Sequence, residues 1–183
     1  YPEHHPGGDQ QVNIGRVAGQ SQHRRLHHSV PGGHNAQVRS VTIHQLDLSL
    51  TNFYKSKFNK KPKIAILGLN PHCESILKYN EDEKIIKPCI KSLGKKYNVS
   101  GPHSADTIFL KDNRKKFDVI LGMYHDQVLT PLKTLFEYDA INITLGLPFI
   151  RISPDHGPNE YMLGKNLSNP LSLLKAIKFL DKN

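Results

Sequence analysis

The chain has no tryptophan, two cysteines and two methionines, and no lysine before Lys55. Each scarcity excludes something. No apolar run approaches the roughly 20 residues that a membrane-crossing helix needs, so the expectation is a chain without membrane contacts. The polar N-terminus, rich in His, Gly and Gln, carries no signal-peptide pattern. Cys73 and Cys89 lack C-x-x-C spacing and a partner His motif, which excludes a thiolate zinc module and suits a reducing cytoplasm. The formal net charge of +9 raises the question of nucleic acid. The lysines, however, are scattered singly and in pairs among acids, the pattern of a solvated surface, so no nucleic-acid partner is expected.

What is present divides into two compositions. Seven of the eleven His and four of the six Arg precede Lys55, and all nineteen Lys lie from there on. Residues 1–38 carry Gly7-Gly8, Gly15, Gly19 and Pro31-Gly32-Gly33 without a sustained period of 3.6 or 2.0. They read as a poorly ordered leader, of the kind a cloning junction or shifted frame produces; a His-rich metal-binding tract is the other reading. Over 41–58, Ile43, Leu46, Leu50 and Phe53-Tyr54 recur at helical spacing.

From Lys63 the pattern is regular. "KIAILGL" (63–69) and "FDVILGM" (117–123) predict buried strands, and "AINITLGL" and "FIRIS" two more. Helices are expected over about 83–97, with Ile85, Ile86, Cys89, Ile90 and Leu93 on one face, and over about 126–136. A last helix starts at Asn169-Pro170, and "SADTIFL" suggests a helical turn. Strands alternating with helices predict an α/β fold, a mostly parallel sheet with flanking helices, over 39–183.

Chemistry-bearing residues follow the strands. The first runs into Asn70-Pro71-His72, the second into Tyr124-His125-Asp126-Gln127, and the later ones carry Asn142, Thr144, Arg151 and Ser153-Pro154-Asp155-His156-Gly157. Ends on one edge of a parallel sheet converge, so His72, His125 and His156 are candidates for one crevice, where imidazoles suit a divalent ion. Lys133 and Arg151 add positive charge for a phosphate or carboxylate, although any single lysine is also a plausible surface group.

These segments carry a resemblance. "GLNPH" (68–72), "GPHSADT" (101–107), "MYHDQ" (123–127) with Lys133, "NITLGLPFIR" (142–151) and "DHG" (155–157) resemble the 4-hydroxythreonine-4-phosphate dehydrogenase (PdxA) family from about residue 41 onward. The resemblance implies one lobe of an isocitrate/isopropylmalate dehydrogenase-like two-lobe architecture. It implies NAD-dependent oxidation, with decarboxylation, of a small phosphorylated amino acid, 4-phosphohydroxy-L-threonine, in pyridoxal phosphate synthesis. It further implies a divalent metal (Zn, Mg or Co), a homodimer and a cytoplasmic setting. His72 and His125 match metal ligands, Lys133, Asn142 and Arg151 match substrate-binding positions, and Lys133 and Asp126 are the candidate catalytic residues.

The chain also departs from the family pattern. The "TTH" motif that supplies a third metal histidine is missing, with only His27 and His28 near the expected interval. "CESILKYNEDE" replaces the Gly-rich stretch after "NPH", and most of the family's first domain is not in this sequence. The expectation is therefore a C-terminal lobe, with a catalytically inactive truncated or frame-shifted product as the alternative.

Overall fold

The computed structural model describes residues 16–17, 49–73, 80–145, 147–157 and 160–181. The leader, apart from Arg16–Val17, lies outside the described residues, as do 41–48 of the first expected helix.

Two three-stranded sheets carry the fold. In one, β2 (Ile64–Leu67) lies between β3 (Val99–His103) and β4 (Val119–Leu121), and both neighbours run parallel to it. Every β2 residue is buried, which explains a run of apolar side chains without alternation. One face packs through Ile64 and Ile66 against Ile86, Cys89, Ile90 and Leu93; the other packs through Ala65 and Leu67 against Ile108, with Val128 alongside. Each fully buried Ile of this strand contributes on the order of 1.5–3 kcal/mol.

The helix over that first face, α2, begins as a π-helical segment, Asp82–Ile86, and continues as an α-helix, Lys87–Leu93. Pro88 has no N–H to give to the turn before it, and the ladder shifts there: Lys87 N–H donates to the carbonyl of Asp82, five residues back. The helix therefore starts close to the expected position but stops at Leu93 rather than 97.

The expected elements omitted β3, for an intelligible reason. Its sequence, "VSGPH", holds a Gly and a Pro that a central strand excludes, but β3 sits at the sheet edge. Gly101 has φ +142°, and a Cβ there would lie 2.3 Å from the carbonyl oxygen of Ile66, so only glycine allows the approach. A short helix, α3 (Lys111–Arg114), then leads back to β4.

The second sheet has the order β1-β5-β6. β5 (Ile141–Leu145) pairs in parallel with the two-residue β1 (Arg16–Val17) and antiparallel with β6 (Arg151–Pro154). Its apolar face, Ile141, Ile143 and Leu145 with Ile152, packs on Leu50 and Phe53 of α1, helical over 49–58, and on Ala176 and Phe179 of α5 (Leu171–Asp181). The chain is thus α/β with helices on its sheets, as expected. Among the described residues no helix is long and apolar enough to cross a membrane.

Candidate functional site

Two parallel strands, β2 and β4, deliver the first part of the site at their shared carboxyl edge. After β2 the chain turns sharply. Asp82, 1% exposed at the start of α2, accepts hydrogen bonds from Leu69 N–H (2.6 Å) and Asn70 N–H (3.1 Å). The Asn70 side chain accepts from His72 N–H at 3.0 Å, and Cys73 N–H donates to the Asn70 carbonyl at 3.0 Å. This holds His72 at an exposed bend, with Nδ1 3.3 Å from Asp106 Oδ2. Gly68 makes room: a Cβ there would meet Cys73 Sγ at 2.7 Å. Burial pushes the Cys73 thiol above its ordinary pKa, against a smaller opposing effect from its hydrogen bond with Ser104.

After β4, Tyr124 is extended and α4 (His125–Phe136) begins at the histidine itself. His125 is exposed, with Nδ1 2.7 Å from Asp126 Oδ1. The adjacent Gln127 points the other way and is buried. Its Nε2 donates to the Gly68 carbonyl (2.7 Å) and its Oε1 accepts from Met123 N–H (2.7 Å). One amide therefore ties the β2 exit, which leads to His72, to the β4 exit, which leads to His125.

The second part of the site belongs to the β5–β6 hairpin. Direct pairs Asn142↔Ser153 and Thr144↔Arg151 put these four residues on the face opposite the apolar one. Arg151 Nη1 donates to Thr144 Oγ1 at 2.9 Å. Beyond β6, Asp155 turns inward and meets Lys133 of α4, with Nζ 3.2 Å from Oδ2. That contact lacks hydrogen-bond alignment, so Asp155 Oδ2 is a buried oxygen without a hydrogen-bond donor, and Asn142 Oδ1 on β5 is another. Ser172 fixes the turn: its Oγ accepts from Asp155 N–H (2.9 Å) and donates to the Ala140 carbonyl.

The expected three-histidine crevice needs correction. His156 follows β6, in the other sheet and running antiparallel to β5, and its Nδ1 faces the Gly157 carbonyl at 3.2 Å. Among the described residues no three His, Cys, Asp or Glu side chains come together to hold an ion. His72 and His125 suit two ligand positions, since each has a carboxylate against Nδ1, an arrangement that leaves Nε2 to coordinate. They do not complete a set; His27 and His28 lie outside the described residues. Sequence reading also missed Asp82, Asp106 and Ser172. Asp82 sits in the acidic run "NEDE", where nothing local separates the one buried carboxylate from its neighbours.

The family model for "Pyridoxal phosphate biosynthetic protein PdxA" matches residues 17–180. A 4-hydroxythreonine-4-phosphate dehydrogenase of Sulfurihydrogenibium sp. is 48% identical over 128 residues, covering 68% of this chain and 39% of that protein. The one from Xanthobacter autotrophicus is 46% identical over 119 residues, covering 64% of this chain and 34% of that protein. A solved 4-hydroxythreonine-4-phosphate dehydrogenase from Klebsiella pneumoniae superposes with a TM-score of 0.61 at 32% identity, over 80% of this chain and 45% of that one. The chain thus spans less than half the length of these relatives. Since the family match takes in nearly all of the chain, from the short β1 to the end of α5, the chain belongs to the PdxA family.

Proposed function

We propose that this chain contributes the C-terminal lobe of an NAD-dependent 4-hydroxythreonine-4-phosphate dehydrogenase, a cytoplasmic homodimer in pyridoxal phosphate synthesis. Residues 39–183 form that lobe, behind a leader from which Arg16–Val17 adds an edge strand. What supports the reading is that Asn142 and Arg151 share one face of the β5–β6 hairpin and Lys133 pairs with Asp155 just beyond it, in a chain of this family. Two cations and an amide suit a small substrate bearing a phosphate and a carboxylate.

In this reading Lys133 and Arg151 bind and orient the anionic groups, and Asn142 adds a directional polar contact. Asp126 and Asp106 orient the His125 and His72 rings through Nδ1. The two imidazoles supply part of a site for Zn, Mg or Co. A divalent ion held by His72 and His125 with further ligands would supply Lewis-acid polarisation of the substrate hydroxyl, whose hydride NAD would accept in the oxidation that accompanies decarboxylation. The rival reading is a catalytically silent truncated or frame-shifted product that binds metal or phosphate weakly; what favours it is that no third ligand joins His72 and His125 among the described residues.

Calorimetric titration with 4-phosphohydroxy-L-threonine tests the proposal. Binding that Lys133→Ala and Arg151→Ala each weaken about tenfold or more supports it, the scale for a charge-assisted contact. Binding indifferent to both substitutions refutes it.

A further inference from the structure

Thr144 is 7% exposed in a strand whose other buried side chains are Ile141, Ile143 and Leu145. Valine would satisfy the steric demands of that position, and a buried hydroxyl is costly unless it is bonded. Its hydroxyl accepts from Arg151 Nη1, across the directly paired position of β6. Arg151 itself is exposed at the first residue of its strand, where a long side chain would otherwise sample many rotamers.

We infer that Thr144 is a positioning residue, whose hydroxyl holds the Arg151 guanidinium over the polar face of the β5–β6 hairpin for a phosphate-bearing ligand. This rests on the reading of Arg151 as an anion contact. The guanidinium is planar with five donors, so giving one to Thr144 sets the orientation of the plane and leaves the others for phosphate. A side chain ordered before the ligand arrives loses less freedom on binding, and the benefit appears as affinity. Strand alternation supplies the geometry: residues 142 and 144 of β5 face 153 and 151 of β6, while the odd-numbered β5 residues enter the core.

The test is a double-mutant cycle on the full 183-residue chain, titrated with inorganic phosphate and followed by phosphorus NMR. Thr144→Val is expected to weaken phosphate about tenfold, the loss of one bond to a charged group, and Thr144→Ser to stay within about twofold. In an Arg151→Met background, Thr144→Val should add no further loss. If Arg151→Met weakens binding but Thr144→Val does not, the inference about Thr144 fails alone. An equal Thr144→Val effect with and without Arg151 makes the role merely structural and overturns it too. If Arg151→Met leaves binding unchanged, or the unaltered chain takes up no phosphate, the anion reading of Arg151 fails and the inference falls with it.

Discussion

Gln127 and Gly68, 59 positions apart, are joined by a buried 2.7 Å hydrogen bond that links the exits of two parallel strands. The same side chain receives the Met123 N–H, so one amide satisfies a backbone donor and a backbone acceptor of this corner. Gln127→Ala leaves a buried carbonyl and a partly buried N–H without their partner and is expected to cost about 2–3 kcal/mol. Denaturant unfolding measures it. A loss below about 0.5 kcal/mol, the range of ordinary surface substitutions, would show that the amide is not a structural tie.

Two groups set opposite limits on the pH range of stability. Burial, with a smaller contribution from the Asp118 charge, pushes the Tyr54 phenol up to about 12, and its hydroxyl donates to the Asp118 carbonyl at 2.9 Å. The folded state keeps this proton longer than the unfolded chain, so stability is full below about pH 10 and falls between there and 12. Tyr54→Phe should flatten that fall in alkaline unfolding curves.

Burial lowers the His103 pKa from its usual 6.5, beside Phe117 and Ser100. Here the unfolded chain takes the proton first, so stability is full above about 6.5 and declines as pH falls toward the lowered folded value. His103→Gln should reduce the acid-side slope; an unaltered slope from pH 7 to 5 would place its origin in other groups.

Divalent-ion binding separates the histidines. His72→Ala and His125→Ala should each weaken Zn²⁺ or Co²⁺ at least about tenfold, and Asp106→Asn should act in the same direction through the His72 ring. His4→Ala should have no effect, since it lies outside the family motifs. Tight binding that survives loss of both His72 and His125 places the ion elsewhere.

The proposed reaction would require hydroxyl, metal and nicotinamide to be held together, and small errors of position are costly. The chain spans 39% of the Sulfurihydrogenibium relative and lacks a third described metal ligand. No NADH formation is expected from it alone with 4-phosphohydroxy-L-threonine. Fusion to the remaining portion of that relative should restore it, and Lys133→Ala should lower it again. Robust turnover by the unaltered chain would mean that a histidine outside the assigned pair completes the site.

The sequence by itself determined the local elements and the chemical inventory. "KIAILGL" is apolar without alternation because both faces of β2 are covered, and the α5 pattern puts Ala176 and Phe179 against β5. The ordered motifs placed His72, His125, Lys133, Asn142 and Arg151 in a family, and the match over 17–180 agrees. Only the tertiary structure decided which of these residues meet. Periodicity reports which side of an element is apolar, but not which distant backbone group a buried amide or carboxylate will satisfy. Hence Gln127 bonded to Gly68, Asp82 beneath Leu69 and Asn70, and Lys133 against Asp155 emerge only in three dimensions. The same holds for β3, which the edge of a sheet tolerates despite Gly101 and Pro102, and for His156. That histidine follows β6, which runs antiparallel to β5 in the second sheet, whereas His72 and His125 follow parallel strands of the first, because strand direction is fixed by pairing rather than by local pattern.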